Sequence, residues 1–235
     1  MVQGNIAIDG PAGAGKSTVA KLLAERLHYL YVDTGAMYRA LTYKALRQGV
    51  DLTDEKALTS LAENTNIKLV PGEKGGRVLL DGEDVTLFLR RPEVSGAVSL
   101  VAQVPGVRRH LAAQQRAIAA AQRVVMDGRD IGSFVLPDAP HKFFLTASLE
   151  ERSRRRWREM RAQGLQLSPD DVLAEIRARD RLDSERALGP LVVPPDAVYI
   201  DTTGLKPEEV VAKILAVLEE RSGGGDGPCS TGSAK

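Results

Sequence analysis

The sequence predicts an α/β fold: a three-layer arrangement in which a parallel sheet is covered by helices on both faces. Three observations predict it. Strand-like and helical runs alternate along most of the chain. The four main strand runs, at 5–9, 30–33, 123–126 and 143–145, are short and almost continuously apolar. A glycine-rich turn joins the first of them directly to a helix. A strand buried on both faces has no solvent side to mark with polar residues, so continuous apolar runs fit a covered parallel sheet.

The elements follow in order. Beyond the glycine-rich turn, residues 17–28 place Val19, Leu22, Leu23 and Leu27 at helical spacing. Run 30–33 ends in a carboxylate, and 37–48 reads as helix. Thr53 is the expected cap of a helix over 54–64, with Asp54 and Glu55 at its positive end. Runs 67–70, 77–80 and 83–86 read as strands, with a two-residue hairpin signal at Asp81-Gly82. Hairpins this short are marginal alone, so this antiparallel insert should lean on a neighbour. Helices over 92–103 and 107–122 are broken at Pro105-Gly106. Ser148 and Glu151 form a capping box that opens an arginine-rich helix, which Gly164 ends. Ser168-Pro169-Asp170-Asp171 opens the next helix, with proline at its first position. A last strand at 198–201 and an amphipathic helix at 207–221 follow. Residues 222–235, rich in Gly and Ser, cannot bury apolar surface and read as a disordered tail.

Bulk properties narrow the function classes. A chain of 235 residues fits one domain with insertions, or a domain and a half, and is long enough for a substantial core. With 43% hydrophobic and 27% charged residues, the balance is globular. A net charge of +1 gives no global drive toward nucleic acid or an anionic membrane. The single cysteine, Cys229, excludes a disulfide framework and a thiolate metal site, and suits a reducing, cytoplasmic setting. The N-terminal residues lack the basic and long apolar segments of a signal peptide. No apolar run approaches the ~18 residues of a membrane span.

The chemistry begins at Gly10-Pro11-Ala12-Gly13-Ala14-Gly15-Lys16-Ser17, continued by Thr18. It fits the pattern G-x-x-x-x-G-K-[ST] between a strand and a helix, the phosphate loop of P-loop NTPases. Glycines let backbone N–H groups converge on phosphate oxygens, and the helix start adds its positive dipole end. Lys16 is expected at the β/γ-phosphates of ATP and Ser17 on Mg2+. The loop alone does not separate kinases from GTPases or mechanical ATPases.

Three further segments discriminate, each with a bland alternative. Asp33-Thr34-Gly35-Ala36-Met37-Tyr38-Arg39 puts a carboxylate at the end of a strand expected beside that of the phosphate loop. There Asp33 would orient Mg2+ through water; the same residues also make an ordinary helix cap. Asp127-Gly128-Arg129-Asp130 follows another strand, facing the ligand crevice of a parallel sheet, or forms an exposed tight turn. Arg179, Asp183 and Arg186 share one helix face, as binding groups or as an intrahelical ion pair.

Together with Phe144-Leu145 and the run Arg179-Asp-Arg-Leu-Asp183, these motifs resemble bacterial cytidylate kinases, in order and spacing, over about residues 4–220. The resemblance implies a nucleoside monophosphate kinase domain over 1–221. Its core is 1–33, 109–147 and 187–221. Its acceptor-binding region is 34–108, with the antiparallel insert at about 66–87, and its helical lid is at about 148–170. It implies transfer of the γ-phosphoryl group of ATP to CMP or dCMP by a monomer, without nucleic-acid or membrane partners. It further implies that Thr34, Arg39 and Arg129 contact the acceptor nucleotide, both arginines at its phosphate. Ser99, Arg108 and Asp130 would read cytosine, Arg179 and Asp183 the sugar, and Arg186 sugar and phosphate. The lid arginines it points to are Arg152, Arg155 and Arg156, from a run that reads otherwise as a solvated helix face. Ser133-Phe134 departs from the small polar pair expected there. The alternative is a kinase for another nucleoside monophosphate or small-molecule acceptor. A GTPase should carry Asn-Lys-x-Asp, which is missing, and an RNA-binding module is at odds with the charge balance and 4% aromatic content.

Overall fold

The computed structural model describes residues 2–70, 76–162 and 164–223. In chain order the strands are β1 (Ile6–Asp9), β2 (Leu30–Asp33), β3 (Ile67–Val70), β4 (Arg77–Leu80), β5 (Glu83–Asp84), β6 (Val124–Asp127), β7 (His141–Thr146) and β8 (Val198–Asp201). The helices are α1 (Lys16–Leu27), α2 (Thr34–Arg47), α3 (Glu55–Glu63), α4 (Pro92–Val101), α5 (Pro105–Ala121), α6 (Leu149–Ala162), α7 (Pro169–Ser184) and α8 (Pro207–Gly223).

The apolar runs pair in parallel as a five-stranded sheet, in the order β2-β6-β1-β7-β8. All four residues of β1 are buried, as a central strand requires. One face packs against α1 and α8 through Leu23, Val211, Ile214 and Leu218. The other packs against α5 through Ala112 and Ala119, with Ile131 and Val135. One expectation is corrected here: β6, not β2, lies beside β1 on that side. The register sets Asp33 opposite Asp127, so two carboxylates end adjacent strands.

The insert is an antiparallel sheet, β3-β4-β5, turning at Asp81 and Gly82, both with positive φ (50° and 91°). Its third strand is shorter than expected. Thr86 Oγ1 accepts the Val78 N–H at 2.9 Å in place of a backbone carbonyl, and the chain then enters a single 3-10 turn, Thr86–Phe88. The insert leans on α2, α3, α4 and α5 around Leu41, Leu58, Leu80 and Val107, a core separate from that of the main sheet. Helix α3 is capped by Asp54, which accepts from the amides of Lys56 and Ala57, whereas Thr53 turns back to Asp51. Pro105 is the first residue of α5, so Pro105-Gly106 starts that helix, and the boundary expected at 108/109 falls inside it. Helices α6 and α7 form a hairpin with a small core of Met160, Val172 and Ile176. Gly164, at φ 81°, ends α6, and the Ser168–Asp171 capping box starts α7. At the start of α6 only half of the expected box forms: Ser148 Oγ accepts from Glu151 N at 3.2 Å, while the Glu151 carboxylate pairs with Arg154 and Arg155. The tail read at 222–235, with Cys229, lies from residue 224 on outside the described residues. Among the described residues no helix is long and apolar enough to cross a membrane.

Candidate active site

The carboxyl ends of β1, β2 and β6 open into a cleft of about 250 Å³, which the starts of α1 and α2 also border. The cleft is where a parallel sheet binds ligands, because strand ends and helix N-termini meet there. From the phosphate loop, Ala12, Gly13, Gly15, Lys16, Ser17 and Thr18 line it. Gly10, Pro11 and Ala14 support the loop from behind. A side chain on Gly10 would overlap the Leu145 carbonyl of β7, so only glycine lets the loop leave β1 here. Lys16 donates from Nζ to the Pro11 carbonyl at 2.7 Å. Burial, and then the Arg129 guanidinium, hold its ammonium well below the usual lysine range.

Because β6 neighbours β1, Asp127 rather than Asp33 meets the phosphate loop. Ser17 donates from Oγ to Asp127 Oδ2 at 2.8 Å, and Tyr31 donates to Oδ1 at 2.9 Å. Burial, and then the Asp33 charge, push the Asp127 carboxyl up to about 6. Asp33 is taken up differently. It caps α2 through Ala36 N at 2.8 Å and pairs with Arg39 at 3.0 Å, while still lining the cleft. Asp127 is the cleft residue that sequence reasoning passed over. The signal was in the quoted Asp-Gly-Arg-Asp segment, but its use depended on strand order. Ser17 and Asp127 together fit Mg2+, which is usually held by one or two carboxylates, a hydroxyl and substrate phosphates.

A ring of cations faces these groups. Arg39, Arg129, Arg156, Arg179 and Arg186 all line the cleft. Arg39 Nε, Arg179 Nε and Arg186 Nη2 are buried with no hydrogen-bond partner. Burial, and then Arg129, pull Arg179 down to about 10. Asp183 sits between two of them, accepting from Arg129 Nε at 2.8 Å with Arg186 3.4 Å away. Burial alone would raise its pKa, but Arg129 and Arg186 hold it below the usual range. Crowded guanidiniums with free donors disfavour one another until an anion is present, so the cleft is built for several phosphates.

On the remaining wall stand Thr34, Tyr38, Ser99 and Asp130. Thr34 donates to the Asp127 carbonyl at 2.7 Å, which ties α2 to β6. Arg108 does not line the cleft. It is fully buried behind Asp130, with which it pairs, and it also donates to the carbonyls of Ala102 and Gly189, each at 3.2 Å. Gly189 is at φ 60°, and a side chain there would strike both members of that pair.

The three lid arginines divide. Arg156 reaches the cleft, with ion pairs of 3.6 Å to Glu159 and 4.0 Å to Glu175. Arg152 is buried, donating to Ala12 O at 3.1 Å and to Asp180 at 2.6 Å, while Asp180 also accepts from Ala12 N at 3.3 Å. Arg155 donates to Thr202 Oγ1 and O, at 3.0 and 2.7 Å. Arg156→Ala should therefore lower kcat by about 10²-fold with Tm unchanged. Arg152→Ala should lower Tm, because it leaves buried carbonyls and Asp180 unpaired. Steady-state kinetics and thermal denaturation of both variants check the contrast.

A phosphate loop at the head of a parallel sheet, facing a cation-lined cleft with a separate polar wall, defines a P-loop phosphotransferase with a small anionic acceptor. The comparisons agree. A family profile described as cytidylate kinase matches residues 6–220. The chain is 58% identical over 219 residues to a cytidylate kinase of Geobacillus kaustophilus, covering 93% of this chain and 98% of that protein. It is 53% identical over 219 residues to one from Caldanaerobacter subterraneus, covering 93% and 96%. The chain belongs to the cytidylate kinase family.

Proposed function

We propose that the protein transfers the γ-phosphoryl group of ATP to CMP or dCMP, giving ADP and CDP or dCDP. The observation that carries this reading is that Ser99 and Asp130 both line the cleft, Asp130 with a fully buried arginine behind it. Cytosine offers an N4 amine to a carboxylate and N3/O2 acceptors to a hydroxyl or guanidinium. Uracil reverses the first of these, setting its O4 against a carboxylate oxygen, so that two acceptors face each other with no donor between them.

In this reading Arg39 and Arg129 hold the acceptor phosphate, Arg179, Asp183 and Arg186 the sugar and phosphate, and Thr34 the wall between them. Lys16 and the amides of 10–18 hold the donor phosphates. Ser17 and Asp127 hold Mg2+, with Asp33 reaching it through water. Bound there, the cation neutralises charge on the donor phosphates. No side chain is required as general base, since the attacking phosphate oxygen is ionised near neutral pH. The helix pair around 148–170 acts as the lid, whose Arg156 closes over the phosphates and helps exclude water as a competing acceptor. The protein works on this reading as a cytoplasmic monomer without nucleic-acid or membrane partners.

The test is ADP release with ATP, Mg2+ and each of CMP, dCMP, UMP, AMP and GMP at equal concentration. CMP and dCMP should turn over far above the rest. Equal turnover of UMP or AMP would sink the acceptor assignment and leave the donor site standing. Asp127→Asn should raise the Mg2+ concentration for half-maximal rate at least about tenfold, as losing one ligating carboxylate implies. A Mg2+ titration of rate reads this directly, and an unshifted midpoint would contradict the assignment.

A further inference from the structure

Arg129 and Asp130 occupy a short stretch between the end of β6 and a π-helical turn, Ile131–Val135. Such turns are rare, and what fixes this one fixes the two residues before it. Its own amides do part of the work: Phe134 N and Val135 N donate to the Asp130 carbonyl at 2.9 and 3.0 Å. The rest comes from two side chains on other elements. Asp9, the last residue of β1 and 1% exposed, accepts from Ile131 N at 2.8 Å with Oδ1 and from Gly132 N at 2.7 Å with Oδ2. Arg116 on α5 donates from Nε to Val135 O at 2.9 Å and from Nη2 to Phe134 O at 2.6 Å, with its guanidinium 5.3 Å from the Phe134 ring centroid. Neither side chain lines the cleft.

We infer that Asp9 and Arg116 are positioning residues for the acceptor: they clamp the 131–135 turn at its amide and carbonyl ends and thereby aim Asp130 and Arg129. The inference rests on the proposed acceptor chemistry. Each Asp9 oxygen serves one amide, so no side chain with a single acceptor can hold both. An asparagine there turns an N–H toward a backbone N–H and leaves one buried amide unpaired. The clamp also starts where the donor loop starts, because Asp9 precedes Gly10. One carboxylate thus ties the frame of the phosphate loop to the wall that reads the acceptor. A shift of the turn by an ångström moves Asp130 relative to the phosphate loop, and misplacement on that scale is costly in rate. Phe134, which departs from the small polar residue expected in the family, presents its ring and carbonyl to the Arg116 guanidinium.

The experiment compares wild type, Asp9→Asn, Arg116→Ala and Arg116→Lys by steady-state kinetics with CMP, UMP and ATP varied separately, alongside thermal denaturation. Asp9→Asn should raise KM for CMP about tenfold and shrink the CMP-over-UMP ratio of kcat/KM by a similar factor, about the value of one buried hydrogen bond. KM for ATP should stay within about twofold of wild type. Arg116→Ala should move the same quantities in the same direction by a smaller factor, and Arg116→Lys should recover part of the loss. If Asp9→Asn does not fold, the Arg116 pair decides alone, since that residue is exposed. The clamp is overturned if KM for ATP rises as much as KM for CMP, or if the variants lose Tm with selectivity unchanged. A wild type without CMP preference would sink the acceptor reading separately; the clamp would then be judged on KM for whichever acceptor turns over.

Discussion

Replacing Lys16 with alanine is expected to cut kcat by about 10²–10³-fold or more, with a folded protein and a Tm at or above that of the wild type. The rate loss follows from removing a preorganised charge at the transferring phosphoryl group, where each such donor contributes on that scale. The stability prediction follows from the ammonium's surroundings. Lys16 is 5% exposed, and its ammonium donates to the Pro11 carbonyl. Burial and then Arg129 depress its pKa, so the charged form is disfavoured in the folded chain. A lysine with a lowered folded value costs stability at neutral pH and regains it as pH rises. Removing the side chain therefore relieves a strain that exists for the sake of the phosphates. Coupled ADP release and thermal denaturation read both halves. A folded variant with near-normal kcat would remove the phosphate loop from the mechanism. A clear loss of Tm would mean that the cation crowding is compensated within the protein itself.

The same crowding shows why much of the fold was legible in the sequence and part of the site was not. A run such as Ile6–Asp9 announces itself, because a strand covered on both faces is apolar up to its last residue. Helix α7 is legible for a similarly local reason: Ser168, Pro169 and Asp171 satisfy its orphan amides within one turn. Strand order is not local. Whether β2 or β6 sits beside β1 depends on how crossovers pack, and that choice decides whether Asp33 or Asp127 meets Ser17. Thr86 is comparable, since its hydroxyl replaces a ladder carbonyl only once β4 lies against it. The division of the lid arginines escaped for another reason. Arg152, Arg155 and Arg156 are close in sequence, but a helix turns them through different directions. One grips the phosphate loop, one the end of β8, and one the cleft.

The other large effect is expected at Asp130. Asp130→Asn should lower kcat/KM for CMP and raise it relatively for UMP, so that their ratio falls by about 10–10²-fold. The carboxylate accepts only, and matches the N4 amine of cytosine; the amide of asparagine can instead donate to the uracil O4. Asp130→Ala should behave differently, through stability. Arg108 is fully buried, and Asp130 is its charged partner. Its other contacts, to the carbonyls of Ala102 and Gly189, do not neutralise it. Stripping one member from a buried pair costs about 3–5 kcal/mol, because the remaining charge stays desolvated. Selectivity is therefore cleanly read in the asparagine variant, which keeps the volume and one acceptor for Arg108, and pairing energy in the alanine variant. Competition between CMP and UMP in one reaction measures the first, and denaturant unfolding of Asp130→Ala, alone and combined with Arg108→Met, measures the second. The combined variant should be more stable than Asp130→Ala alone, since it removes the stranded cation. If the asparagine variant keeps wild-type discrimination while remaining folded, the base is read elsewhere on the wall, and Ser99 is the residue to test next.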